Sequence, residues 1–163
     1  MLNKNLKKLN LSENNLTAKC AESLKICLQS NIALYELNLS WNSFNSEAGA
    51  NIFSGMNDNY VLKVLDLSYN NLGKRKSKFS ESLQALLMKN ETGLLHLDLS
   101  YNQIDLEESK LISLGLAENH LIYGFHFEGN AGSIDPQGNL IVDNERKDEC
   151  FLNPKSYQIN GNK

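Results

Sequence analysis

One phrase of eleven residues occurs five times in this chain, and this repetition restricts the fold more than any other feature. The clearest copy, at residues 62–72, reads LKVLDLSYNNL. The others read LKKLNLSENNL from Leu6, LYELNLSWNSF from Leu34, LLHLDLSYNQI from Leu94 and a degenerate IYGFHFEGNAG from Ile122. Successive copies start 28, 28, 32 and 28 residues apart. A regular period of this length is typical of a solenoid, in which similar units stack and share one core.

Each unit changes its apolar period halfway along. Leu9 and Leu11 alternate with polar residues, which predicts a short strand with one buried face. Cys20, Leu24 and Leu28 then follow at intervals of four, which predicts an amphipathic helix. Strands joined by helices must pair in parallel, and helices need about 8–10 Å of lateral room where strands need about 4.8 Å. We therefore predict an α/β horseshoe segment with a concave parallel sheet and convex helices.

An asparagine recurs at the ninth position of every copy. These residues are Asn14, Asn42, Asn70, Asn102 and Asn130. The chain turns out of the strand at this point, so we expect their side chains to pair with backbone groups that would otherwise be buried without partners. We interpret the overall abundance of asparagine as a sign of biased genome composition more than as a demand of the fold.

The phrase L-x-x-L-x-L-x-x-N-x-L, with a period of 28 and a full helix in each unit, resembles the ribonuclease-inhibitor-like subfamily of leucine-rich repeats. The resemblance covers roughly residues 6–132. It implies a protein-binding role, since members of the family bind proteins, and one branch, the activating proteins for the Ran GTPase, promotes hydrolysis on a bound partner. We predict a repeat domain with its cap over residues 1–142 and a polar tail over residues 143–163.

Two stretches depart from the repeat. The third spacing is longer by four residues, and the excess lies in a basic segment, Lys74 to Lys78, ahead of a helix predicted near residues 79–89. We interpret this segment as a solvated loop, with a basic contact surface as the alternative. In the fifth unit no helical pattern follows the strand. Instead, DPQG at residues 135–138 predicts a turn between Ile134 and the apolar run at residues 140–142, as expected of a terminal cap.

The composition limits where the chain acts. A net charge of −3 gives no general attraction to nucleic acid or to an anionic membrane. No apolar run is long enough to span a bilayer, and the first ten residues do not form a secretory signal. Three irregularly spaced cysteines make a poor disulfide framework, and Cys20 and Cys27 lie too far apart on one helix to bridge. We expect an intracellular, cytoplasmic protein, with association with the cytoskeleton also open to it.

The position after each predicted strand forms a column across the units. From the first unit to the fifth, the column contains Glu13, Trp41, Tyr69, Tyr101 and Gly129. Aromatic side chains combine a large contact area with little rotamer entropy and are enriched at binding hot spots. A tyrosine before this asparagine is also common in repeats of the family, so the pattern fits an architectural role as well. We predict that Trp41, Tyr69 and Tyr101 contact a partner.

Carboxylates on the predicted strands give the concave face an acidic character. Glu36, Asp66, Asp98 and Glu128 contribute to it, and Lys8 partly offsets it. We therefore expect a protein partner with a basic or polar segment, and we assign its binding to Trp41, Tyr69, Tyr101, Asp66, Asp98, Glu36 and His126. His126 lies in the column of Asp98, but contact with protein is a simpler role for it than metal binding or proton transfer.

No sequence motif for catalysis is present: there is no glycine-rich phosphate loop, nucleophile motif or paired-cysteine zinc motif. We therefore expect a non-enzymatic scaffold without cofactor or metal. A GTPase activator resembling the Ran branch is the alternative function, and a structural subunit of a larger assembly is a third.

The first strand, Leu6 to Leu11, stands at an edge of the predicted sheet. Only five residues precede it, too few for a capping helix. A terminal repeat needs a polar cover, because an uncovered edge strand presents unpaired backbone groups. We therefore expect another chain, a second copy or a further segment to cover this edge. Shielding by Lys4, Lys7 and Lys8 is the alternative.

Overall fold

The computed structural model describes residues 3–73 and 78–142. Its elements are β1 (Lys8–Asn10), α1 (Ala18–Ser30), β2 (Glu36–Asn38), α2 (Ser46–Gly55), β3 (Val64–Asp66), α3 (Lys78–Met88), β4 (His96–Asp98), α4 (Leu106–Glu118), β5 (Gly124–His126), β6 (Ser133–Ile134) and β7 (Leu140–Ile141). Four strand-helix units and a closing fifth strand thus follow the sequence repeats. Most of the predicted basic loop, residues 74–77, and the predicted polar tail, residues 143–163, lie outside the described residues.

The first five strands form one parallel sheet in chain order. Its middle row, one residue from each strand, consists of Leu9, Leu37, Leu65, Leu97 and Phe125. The two flanking rows confirm the predicted columns, because Lys8 pairs with Glu36 and Asp66 with Asp98 in the same register. Each helix packs on the next. The α/β solenoid predicted from the period is therefore confirmed.

The core runs between the sheet and the helices and is deepest in the middle units. Phe44, Phe53 and Phe79 are fully buried there. In the first unit, Leu9 and Leu11 are only partly buried and pack against the edge of the core. A solenoid unit buries its apolar surface against both neighbours, so this difference follows from the terminal position of the first unit.

The repeat asparagines perform the predicted backbone role. The side-chain amide of Asn42 donates to the carbonyl oxygens of Leu11, Leu39 and Ser40 at 2.9–3.1 Å. Its side-chain oxygen accepts the backbone N–H groups of Asn14 and Leu16 at 3.1 and 2.8 Å. Asn70, Asn102 and Asn130 make the equivalent bonds, so in the second to fifth units this side chain bonds its own turn to the preceding unit.

A second series of asparagines lies between the helices and the strands that follow them. The side-chain oxygen of Asn59 accepts the N–H groups of Val61 and Leu62, and its amide donates to Leu28 O at 2.7 Å. Asn31 and Asn119 accept backbone N–H groups in the same manner. Our interpretation of the asparagine abundance as mainly a matter of genome composition was therefore wrong for these positions, where the fold uses the side chain.

The segment that we predicted to form a terminal cap folds as a β-hairpin. Strands β6 and β7 pair antiparallel around the turn at residues 135–138, and β7 contacts α4. The Asp135 carboxylate accepts the backbone N–H groups of Gln137 and Asn139 at 2.9 and 2.8 Å, and Gly138 adopts a φ of +87°. Helix α3 begins and ends one residue earlier than the predicted range of 79–89. Cys20 and Cys27 are free thiols, as their spacing predicted.

Among the residues that the structure describes, there is no helix with both the length and the apolar character needed to cross a bilayer.

Candidate functional site

Three aromatic rings from successive units form a continuous stack, which we call the aromatic ladder: Trp41, Tyr69 and Tyr101. The ring centroids of Trp41 and Tyr69 lie 4.0 Å apart at an interplanar angle of 11°, and those of Tyr69 and Tyr101 lie 4.5 Å apart at 15°. The three residues are 56, 37 and 41 % exposed. The structure therefore brings the three predicted aromatic residues together on the surface.

An unusual backbone conformation aligns the rings. Glu13, Trp41, Tyr69 and Tyr101 all adopt φ values of 53–58°, in the left-handed region that L residues avoid. A hydrogen bond to the next unit holds each of them: Trp41 N–H donates to Ser68 O at 3.0 Å, and the others donate in the same way at 2.7–3.1 Å. Because the backbone is the same in each unit, successive side chains project in one row.

Gly129 completes this column and leaves room for the last ring. It shares the left-handed conformation, with a φ of +72°, and a Cβ atom on it would lie 2.4 Å from Cδ1 of Tyr101. The Tyr101 ring therefore covers the backbone of the fifth unit. The sequence places Gly129 in the column but does not show this packing.

The two predicted aspartates also stabilise the turns that follow their strands. One carboxylate oxygen of Asp66 accepts both the N–H and the hydroxyl of Ser68, at 2.9 and 2.7 Å. Asp98 accepts the N–H of Ser100 at 2.8 Å. The second oxygen of each carboxylate has no hydrogen-bond partner in the described part of the chain, so each aspartate keeps one acceptor for a partner.

Glu36 is already paired within the protein. Its carboxylate lies 2.6 Å from Nζ of Lys8 on the neighbouring strand. The hydrogen bond that Lys8 donates to Glu36, together with the negative charge of Glu36, raises the pKa of Lys8. This ion pair neutralises the acidic face at its first two strands, so the remaining negative charge of the strands comes from Asp66 and Asp98.

His126 lies on β5, the last strand of the parallel sheet, directly opposite Asp98. Its ring centroid is 5.9 Å from that of His96, which in turn meets Tyr123 edge to face at 5.4 Å. The His96 ring also covers the space where Gly124 would carry a Cβ atom. Within residues 3–73 and 78–142, no group of three or more His, Cys, Asp or Glu side chains is arranged to hold a metal ion.

Comparison with protein families identifies the repeat. One family model, described as Leucine Rich repeat, matches residues 2–25 and 92–107, and a second, described as Leucine Rich Repeat, matches residues 61–86. These segments contain the first, third and fourth copies of the phrase. The chain therefore carries leucine-rich repeats.

Comparison with solved structures gives the same fold. A structure described as leiomodin-1 actin-binding site 2 is 16 % identical, with a TM-score of 0.66, and the match covers 75 % of this chain and 70 % of that one. The tropomodulin C-terminal domain of Caenorhabditis elegans is 13 % identical, with a TM-score of 0.64, over 78 % of this chain and 76 % of that one. Identities this low establish the fold alone.

The remaining comparisons limit what can be said of function. A sequence comparison with curated proteins finds no match. The family and structure matches give no support to the GTPase-activating alternative. Taken with the five-stranded parallel sheet and its helices, they establish that the chain is a leucine-rich-repeat solenoid.

Proposed function

We propose that this chain is a non-catalytic scaffold that binds a protein partner on its concave face through the aromatic ladder. The observation that carries the proposal is the exposure of three rings already held in one stack. Exposed aromatic residues are enriched at interface hot spots. Stacking also restricts their rotamers before the partner arrives, which lowers the entropy lost on binding.

The partner segment that fits this surface is basic or rich in hydrogen-bond donors. Asp66 and Asp98 each hold an acceptor oxygen without a partner among the described residues, and their strand positions are adjacent. Glu36 contributes less attraction because it is paired with Lys8. His126, exposed at the end of the same row, extends the polar surface.

Actin is the first partner to test. One of the structures with the same fold is described as an actin-binding site of leiomodin-1, and the other is a tropomodulin domain. We therefore place the chain in the cytoplasm at the cytoskeleton. We also place its repeats in the ribonuclease-inhibitor-like subfamily, because of their period and their full helices.

The experiment combines Trp41→Ala and Tyr69→Ala. Affinity purification from the native cell supplies the partner, and purified actin is tested in parallel by co-sedimentation. We expect the double variant to lose at least about tenfold in affinity, since truncation of a hot-spot residue costs about 2 kcal/mol or more. Its far-ultraviolet circular dichroism should stay unchanged.

Tyr60→Ala is the matched control. Tyr60 is 56 % exposed, as Trp41 is, but it lies in the loop between α2 and β3, outside the ladder. The control should bind like the unmodified chain. Full affinity of the double variant would contradict the proposal, and accelerated hydrolysis by a small GTPase in the presence of the chain would replace it with the activator function.

A further inference from the structure

The aromatic ladder has one free face. Tyr69 stacks on one side of the Trp41 ring, but the preceding position of the column is Glu13, so no described ring covers the other side. Trp41 is accordingly the most exposed of the three, at 56 % against 37 and 41 %. At the opposite end, the Tyr101 ring covers Gly129. A guest can therefore extend the stack at Trp41.

Glu13 occupies the position of the column next to this free face, one unit before Trp41. Its φ of 58° matches that of Trp41, and its N–H donates to Ser40 O at 3.1 Å, so the two side chains leave equivalent backbones in adjacent units. The Glu13 carboxylate has no ion pair or hydrogen bond to any residue that the structure describes. Lys8, a cation of the same unit, is paired with Glu36 instead.

An exposed π face, with a carboxylate-bearing residue at the next position of the column, favours a cationic guest that is flat enough to stack. Tryptophan is the aromatic side chain that attracts cations most strongly. A guanidinium group is flat enough to stack on the ring and can also donate two parallel hydrogen bonds to a carboxylate. A lysine ammonium makes the same charge contact but cannot stack as a plane. An aromatic guest could stack on the ring but would form no ion pair with Glu13.

We infer that Trp41 and Glu13 form a binding site for an arginine side chain of the partner, in which the guanidinium stacks on the free face of the indole and pairs with the carboxylate. This inference rests on the proposed function and specifies the residue that the ladder recognises. The arginine would add a fourth layer to the stack.

The chain has a single tryptophan, so indole signals report on this site alone. The probe is the peptide acetyl-Gly-Arg-Gly-amide, titrated while the Trp41 indole N–H resonance and the tryptophan fluorescence are recorded. Two further peptides carry lysine or the neutral isostere citrulline in place of arginine. We expect saturable shifts with the arginine peptide and at least about threefold weaker binding of the citrulline peptide, as the loss of a cation–π contact requires.

Two variants test the role of the carboxylate. Glu13→Gln should weaken binding of the arginine peptide at least about threefold, whereas Glu91→Gln, the same change at another exposed glutamate, should leave it unchanged. In Glu13→Lys, the new ammonium should occupy the site and abolish binding. Equal affinity for arginine and citrulline, or equal effects of the Glu13 and Glu91 changes, would overturn the inference.

These outcomes are separable from those of the proposed function. If the ladder double variant loses the partner while arginine is not preferred, the binding surface stands and the arginine assignment falls. If arginine binds as expected while the double variant keeps full affinity for the partner, the proposed function falls.

Discussion

The side-chain oxygen of Asn130 accepts the backbone N–H of Asn102 at 3.0 Å and so bonds the turn of the fifth unit to that of the fourth. It also accepts the N–H of Ile104 at 3.1 Å, and its amide donates to Leu99 O at 2.8 Å. The same residue thus satisfies three backbone groups of the preceding unit. The units are therefore coupled by hydrogen bonds as well as by the apolar core.

The first prediction concerns Asn102→Ala. Asn102 is fully buried, and its amide donates to the carbonyl oxygens of Leu67, Leu99 and Ser100. Buried acceptors left without donors are costly, so we expect the free energy of unfolding to fall by about 3 kcal/mol. Urea denaturation measures this free energy. Asn14→Ala, at the exposed end of the column, should change it by less than about 0.5 kcal/mol, and equal losses would contradict this account.

The sequence predicted the rows of the sheet because a fixed period determines the register. A unit of 28 residues places Asp66 beside Asn38, and the structure pairs them. The third interval is four residues longer than the other three, and these extra residues lie between β3 and α3, as the sequence predicted. The second asparagine series was missed although Asn31 and Asn59 lie one period of 28 residues apart. The inter-unit bonds of this series, from Asn59 to Leu28 O and from Asn119 to Leu87 O, depend on carbonyl groups that the stacking of the units brings close.

The candidate site was predictable as a set of residues but not as a geometry. The aromatic column gives three rings in line, but their stacking depends on a left-handed backbone at Trp41, which the residue type does not favour. The sequence equally could not show that Glu36 is paired with Lys8, or that Asp66 accepts two hydrogen bonds from Ser68. These contacts depend on rotamers, which a periodic pattern does not specify.

The second prediction concerns Gly129→Ala. The new Cβ would lie 2.4 Å from Cδ1 of Tyr101 at a φ of +72°, so steric overlap adds to backbone strain. Gly138→Ala is the matched control, because Gly138 has a φ of +87° and open space around its Cα. We expect a loss of about 1 kcal/mol for the control from strain alone and a larger loss for Gly129→Ala. Near-ultraviolet circular dichroism should change only in Gly129→Ala, because only there is a stacked ring displaced.

The third prediction concerns the stability of the β6–β7 hairpin at low pH. Hydrogen bonds from the side chain and backbone of Asn139, and then from the backbone of Gln137 and Gly138, lower the pKa of Asp135. A carboxyl with a lowered pKa stabilises the folded state above its unfolded pKa, and this contribution is lost as the pH falls through the folded value. The hairpin should therefore loosen below about pH 4. The Asn139 amide resonances should report the transition, and Asp135→Asn should abolish it; resonances that do not move between about pH 5 and pH 2 would contradict it.

The last prediction concerns the N-terminal edge of the sheet. Among the residues that the structure describes, strand β1 pairs with β2 alone, and Leu6 is 41 % exposed. The side chain of Asn14 donates to Ser12 O of its own turn at 2.7 Å and to no other described residue, whereas that of Asn42 donates to the preceding unit. In the described part of the chain, the outer side of the first unit therefore lacks the contacts that the inner units make with one another. We propose that another chain covers this edge.

A fused cap tests this proposal. A unit copied from residues 34–61, with polar residues on its outward side, is placed directly before Leu6. It should raise the free energy of unfolding by at least about 2 kcal/mol, because it buries the leucines of the first unit. Sedimentation should show association of the unmodified chain that the cap abolishes. If the unmodified chain stays monomeric at all concentrations and the cap adds no stability, Lys4 and Lys7 shield the edge well enough by themselves, and the proposal is wrong.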